Sequence, residues 1–167
     1  QGGSVGLSSK SLINQGTIIA DTAGRTIDVT GTNWRNEGKL EAAGGTLRLQ
    51  ESWGNAGSIT ASGGGTVKLE GSFVFDSTGV LNQDGGSINL SGILDNTGKT
   101  VVLDANLALG RINGGTISGA NGSPLIVTES SVLDGVTLEG DALVKSAQSL
   151  TAFNGLTLNG GRVTLDT

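Results

Sequence analysis

The sequence predicts an all-β protein, a three-sided parallel β-helix (a β-solenoid) with about 20 residues per coil and roughly eight coils, on three recurring landmarks. The first is an Asn-x-Gly turn at Asn14-Gln15-Gly16, Asn36-Glu37-Gly38, Asn55-Ala56-Gly57 and Asn96-Thr97-Gly98, with Ser77-Thr78-Gly79 in the missing place. Its glycines are 22, 19, 22 and 19 residues apart. The second is a small hydroxyl residue after a Gly-rich corner, at Thr26, Thr46, Thr66 and Ser87. The third is a large apolar position at Trp34, Trp53, Phe73 and Ile93. Three landmarks at one pitch describe three short strands and three corners in each coil.

Each strand is read from the period-2 alternation of side chains. After the Asn-x-Gly turn, Ile18/Ala20, Leu40/Ala42 and Ile59/Ala61 point inward, while Thr17, Ile19, Lys39, Glu41, Ser58 and Thr60 face out. After the hydroxyl, the pairs Ile27/Val29, Leu47/Leu49, Val67/Leu69 and Ile88/Leu90 form the core around outward Asp28, Arg48, Lys68 and Asn89. No segment carries a helical period. The turn residues Asn14, Gly16, Asn36, Gly38, Asn55, Gly57, Gly79, Asn96 and Gly98 are structural, and the asparagines are placed to form an amide ladder along the axis.

From Lys99 to Gly110 no Gly-Gly corner occurs, so that coil is expected to be short. A second motif then recurs: Asn113-Gly114-Gly115-Thr116-Ile117, Asp134-Gly135-Val136-Thr137-Leu138 and Asn154-Gly155-Leu156-Thr157-Leu158. Its threonines keep the pitch, which predicts a single solenoid over 1–167, of the Asn-x-Gly type over 1–104 and of the divergent type over 105–167.

Composition fits and excludes. Thirty glycines in 167 residues, with one proline, supply corners that call for positive φ. They are too regularly placed for a disordered linker. The absence of cysteine and histidine removes disulfides, thiolate sites and imidazole chemistry. A net charge of -5 argues against an electrostatic nucleic-acid partner. No apolar run approaches the roughly 18 residues of a membrane-spanning helix, so no membrane insertion is expected.

The chain opens at Gln1 and stops within a strand-like stretch, 162–167, with no amphipathic or charged cap. The expectation is either further repeats of the same chain or head-to-tail stacking on copies of itself, the latter giving an open filament.

The tandem Asn-x-Gly turns, the Gly-Gly-Thr-(Leu/Val)-x-Leu strands and the later Asp-Gly-Val-Thr-Leu-x-Gly and Asn-Gly-Leu-Thr-Leu-Asn-Gly segments resemble the filamentous-haemagglutinin-like repeat regions of large bacterial surface proteins. That resemblance implies a right-handed helix, an extracellular or cell-surface location and the role of an adhesin stalk or fibre. Surface glycans are the partner class it adds.

Few residues invite chemistry. Asp76 and Asp95 sit three residues before Gly79 and Gly98, so stacked carboxylates there would either bridge Ca2+ or lie solvated beside Lys99 or Arg111. The second reading is preferred, and no other cofactor is implied. Glu139 and Asp141 straddle Gly140 without the fixed partner a glycosidase pair needs. Thr26, Thr46 and Thr66 form only one column, where an ice-binding plane needs two. Trp34, Trp53, Phe73 and Phe75 are assigned to the core, the alternative being an outward stripe for sugar rings. The expectation is a non-enzymatic structural segment or subunit of an extracellular fibre, with a carbohydrate-binding or carbohydrate-processing β-helix as the alternative.

Overall fold

The computed structural model describes residues 2–77, 79–103 and 108–166. Thr78 of the turn series, the expected motif change at 104/105 and the ends Gln1 and Thr167 lie outside the described residues. The chain is a β-solenoid of about eight turns, about 20 residues apart, and all but one short element is strand. The exception is a 3-10 turn at Ala120–Gly122. Two compact units make up the chain, Gln1–Gly92 and Ile93–Thr167.

In the first unit, every coil contributes one strand to each of three parallel sheets. One sheet holds β1 (Gly3–Val5), β4 (Thr26–Val29), β7 (Thr46–Leu49), β10 (Thr66–Leu69) and β13 (Ser87–Leu90). The second holds β2 (Ile13–Asn14), β5 (Trp34–Asn36), β8 (Ser52–Asn55) and β11 (Ser72–Phe75). The third holds β3 (Thr17–Ala20), β6 (Lys39–Ala43), β9 (Ser58–Ser62) and β12 (Val80–Asp84). The landmarks align as columns: Thr26, Thr46, Thr66 and Ser87 face one another in register, as do Trp34, Trp53 and Phe73.

Period 2 assigns the core correctly over most of these strands. Val29, Leu47, Leu49, Val67, Leu69, Ile88 and Leu90 are buried, as are Leu40, Ala42, Ile59 and Ala61. Ile27, expected in the core, is only half-buried, because its neighbour in register on one side is Gly3, which has no side chain to cover it. Ile18 is half-buried for a related reason, since β3 is the last strand of its sheet.

One inward polar group of the third sheet lacks a hydrogen-bond partner among the described residues. Gln83 continues the column of Ala61 and Ala42, and its Oε1 is buried without a hydrogen-bond partner among the described residues. Such an orphaned acceptor costs about 1–3 kcal/mol. Gln83→Met keeps the shape and removes the polar atom, so it is expected to raise stability by about 1 kcal/mol. Chemical denaturation measures this, and an unchanged midpoint would mean that the amide is satisfied in solution.

The glycines serve two physical needs, positive φ and close approach of neighbouring backbone. At the Gly-rich corners, Gly44, Gly63, Gly64 and Gly85 do take positive φ. The Asn-x-Gly glycines of this unit do not. Gly38 and Gly57 are there because the backbone of the preceding coil comes too close for any side chain: a Cβ on Gly57 would meet the carbonyl oxygen of Gly38, with the carbonyl carbon of Glu37 and the nitrogen of Gly38 each at 2.9 Å. Left-handed asparagines occur elsewhere, at Asn33, Asn121 and Asn154.

The second unit keeps three sides and joins two of them. Its strands are β14 (Ile93–Asp95), β15 (Thr100–Leu103), β16 (Arg111–Asn113), β17 (Thr116–Gly119), β18 (Leu125–Val127), β19 (Ser131–Glu139), β20 (Ala142–Val144), β21 (Leu150–Asn159) and β22 (Val163–Leu165). Strand β19 pairs with β16 through its first half and with β17 through its second, and the register shifts between Asp134 and Val136, where Gly135 has positive φ. The bulge lets one long strand turn a corner. The short coil expected around residue 100 is present: Ile93 faces Arg111 and Thr100 faces Thr116, steps of 18 and 16 residues. Ile93, read as the fourth large core residue, is 38% exposed, and its neighbour Leu94 is buried instead. Placing the landmark one residue early puts it on the opposite face of the strand.

Candidate functional site

The turn asparagines and the aromatic residues of the first unit are turned inward and used for structure. Asn14, Asn36 and Asn55 occupy successive coils in register, all buried. Asn14 Nδ2 donates to Asn36 Oδ1 at 2.7 Å, and Asn36 Nδ2 donates to Asn55 Oδ1 at 2.7 Å. Each amide also bonds turn carbonyls, as Asn55 Nδ2 does to Gly57 O at 3.1 Å. The ladder stops there, because the residue facing Asn55 in the next coil is Phe75. In the second unit, buried Asn96 acts alone, donating to Thr116 O at 3.0 Å and Lys99 O at 3.3 Å.

Asn36→Ala would leave Asn55 Oδ1 without its donor and deprive Asn14 of one acceptor, both away from water. The expected cost is about 2–3 kcal/mol. A loss under about 0.5 kcal/mol in denaturant unfolding, within the scatter of surface substitutions, would mean that the ladder holds nothing in place.

The aromatic residues form a second internal column. Trp34 stacks on Trp53 with ring centres 5.3 Å apart, and Trp53 on Phe73 at 4.5 Å; Phe75 meets Phe73 edge-on at 5.6 Å. All four are buried. The two indole N–H groups donate to Gln50 O and Glu70 O, each at 2.9 Å, so even their polar edges are satisfied internally. No outward tryptophan stripe exists here for a sugar to stack upon.

The outward charges pair among themselves. Arg48 lies 3.4 Å from Asp28, as the column predicts, but its stronger partner is Glu70, through Nε at 3.3 Å and Nη2 at 3.2 Å. Glu70 was missed because it lies two residues beyond Lys68, the directly facing residue, within reach only of a long side chain. Arg35 bonds Glu37 at 3.1 Å and crosses Gly54 to pair with Asp76. These half-exposed pairs are worth about 0–1 kcal/mol each.

Asp76 and Asp95, the sequence candidates for Ca2+, fall in different compact units and have separate partners. Asp76 is taken by Arg35 rather than by Lys99 or Arg111. Asp95 Oδ1 accepts the backbone N–H of Thr97 at 3.1 Å. Its carboxyl is held below the ordinary 3.8 by hydrogen bonds from the Thr97 side chain and backbone, with Lys99 assisting. The stability this lends is complete above the unfolded-state value and is lost as pH falls through the lower folded value. Among the described residues, no three His, Cys, Asp or Glu side chains converge on one point.

Glu139 and Asp141 also have separate partners. Glu139 accepts from Asn159 Nδ2 at 3.3 Å, and Asp141 accepts from the backbone N–H of Arg162 at 3.1 Å. The column Thr26, Thr46, Thr66 is bordered two residues on by Asp28, Arg48 and Lys68, so a second hydroxyl column does not accompany it.

A cluster on the outward face of the second unit was not foreseen. Arg111 donates from Nε to Asn113 Oδ1 at 2.8 Å and from Nη2 to Asp134, whose other oxygen accepts from Asn154 Nδ2 at 2.7 Å. The Phe153 ring lies beside it, 6.0 Å from the guanidinium carbon of Arg111. The signal in the sequence was the column Asn113, Asp134, Phe153, visible only once the repeat is aligned in register. Among the described residues, no helix is long and apolar enough to cross a membrane. No family model, curated protein or solved structure matches the chain.

Proposed function

We propose that the chain is a structural segment or subunit of an extracellular bacterial fibre or adhesin stalk, extended by stacking one solenoid coil on another. The observation that carries this reading is that the ordered polar and aromatic groups of the first unit are spent along the stacking direction, in a buried amide ladder and a buried ring stack. A coil contributes adhesion to the next coil and leaves little chemistry facing out. A second observation supports stacking as the mode of extension. Leu158 and Leu165 are 45% and 75% exposed, although Leu138 and Val144, which face them in the preceding coil, are buried. Another coil, from the same chain or a copy, would cover them and contribute about 25 cal/mol for each Å² of apolar surface removed from water. The resemblance of the repeats to filamentous-haemagglutinin-like surface proteins supports an extracellular location, and a solenoid fold is suited to a mechanical role.

One of the features that would favour the carbohydrate alternative, outward Trp34 and Trp53, is not found, since both are buried. Electron microscopy of the purified chain over a range of concentrations tests the reading. Filaments with an axial repeat set by the number of coils are expected if copies stack. Separate particles at every concentration would overturn self-assembly, and leave only covalent continuation as the means of extension.

A further inference from the structure

Phe153 stands apart from the other core-type aromatics. Trp34, Trp53, Phe73 and Phe75 are buried, whereas Phe153 is 52% exposed on the outward face of β21. It faces Asp134, which in turn faces Asn113, so the column runs polar, polar, aromatic across three coils. A large exposed ring in a column that otherwise holds polar residues is the informative departure, since scattered small apolar groups on a surface need no explanation.

The polar groups around the ring are held in place by one another. Arg111 is fixed at two nitrogens, by Asn113 and Asp134, and Asp134 is fixed at both oxygens, by Arg111 and Asn154. Three hydrogen-bonding groups keep free capacity towards solvent: among the described residues, Arg111 Nη1, Asn113 Nδ2 and Asn154 Oδ1 have no partner. They present two donors and one acceptor beside an apolar ring face. The only formal charges in the cluster, Arg111 and Asp134, neutralise each other. Planar amides and a fork-shaped guanidinium, held rigid by their neighbours, pair well with vicinal hydroxyls, and an aromatic face attracts the slightly positive C–H groups of a saturated ring.

We propose that this face of the second unit, Phe153 with Arg111, Asn113, Asp134 and Asn154, binds a neutral pyranose unit of a glycan, the ring stacking on Phe153 and its hydroxyls meeting the three free polar groups. The proposal does not depend on the fibre reading, because the site lies on the outward side of three successive coils of one chain and needs no second copy. A flat site of this size is expected to hold a single sugar with a dissociation constant of the order of 1 mM.

The test is a heteronuclear NMR titration of the chain with neutral gluco-, galacto- and manno-oligosaccharides, with an oligouronate as the charged comparison. Saturable shifts centred on Phe153 and Asn154 with at least one neutral series are expected. Phe153→Ala should weaken binding at least about tenfold, as loss of a stacking platform does, with an unchanged melting temperature. Phe153→Leu, which keeps apolar bulk but has no aromatic face, should lose binding equally and serves should the alanine variant fold poorly. Absence of shifts with every neutral series, binding restricted to the oligouronate, or undiminished binding by the leucine variant would overturn the proposal. So would a concentration-dependent dimer abolished by Phe153→Leu in a chain that binds no sugar, which would assign the face to a second copy.

Discussion

Gly57→Ala is expected to lower the melting temperature by about 6–12 °C, while Gly16→Ala, at the same place in the same motif, leaves it within about 2 °C of the parent. The two positions differ only in what lies behind them. At Gly57 a Cβ would run into Gly38 O and the flanking backbone, and Gly57 N itself donates to Asn36 O at 3.1 Å, so the corner has no room to retreat. Relief requires separating two coils that a parallel ladder and the Asn36–Asn55 bond hold together. Overpacking of this kind costs about 3 kcal/mol, the upper end of the usual range, where backbone meets backbone. At Gly16 no atom lies within 4 Å of the added carbon and φ is not positive, so the substitution chiefly removes freedom from the unfolded chain. Differential scanning calorimetry on both variants decides the matter. Equal melting temperatures would mean that coil spacing at this corner relaxes freely, and the close-approach account would fall.

Leu69→Asp should abolish folding of the first unit at ordinary temperature, whereas Lys68→Asp, one residue away, should change stability by less than about 1 kcal/mol. Leu69 has no exposure and faces Leu49 and Leu90 in the coils to either side, so an aspartate there is a charge without a partner, worth about 3–5 kcal/mol or more of destabilisation. Lys68 points the other way, in register with Arg48, and a carboxylate in its place would meet a cation. Far-ultraviolet circular dichroism with urea titration separates the outcomes. A folded, cooperative Leu69→Asp protein would contradict the inward assignment that period 2 gives for the whole sheet.

The strands were legible because burial imposes a period of two on each of them, and the columns because a glycine that must sit against a neighbouring backbone recurs at the pitch of the coil. Leu47, Leu49, Val67, Leu69, Ile88 and Leu90 were assigned inward from pattern alone and are buried. What pattern could not show is reach. The pairing of Arg35 with Asp76 spans 41 residues and depends on Gly54 leaving a gap between the coils, and Arg48 prefers Glu70 to the residue directly opposite. Side-chain length and the absence of an intervening Cβ decide such pairs, and neither leaves a periodic trace. The Ile93 and Leu94 exchange has another origin, since one residue of slip in a short coil inverts the face of a strand. The Arg111, Asp134 and Phe153 cluster was hidden because its members are about 20 residues apart on three different strands, and the register of the middle one shifts at Gly135.

The amide ladder has a direction. Asn14 gives to Asn36 and Asn36 gives to Asn55, always from the earlier coil to the later, and Phe75 then offers nothing to receive. Nearly identical repeats invite a chain to dock the wrong copy of itself while it folds, skipping a coil or exchanging one with a neighbour. Skipping the coil that carries Asn55 would set Asn36 against Phe75 and forfeit the Asn36–Asn55 bond, a loss that hydrophobic strands alone would not register. Three asparagines followed by a phenylalanine thus act as a count written into the core, so that coils of almost interchangeable sequence are assembled in order.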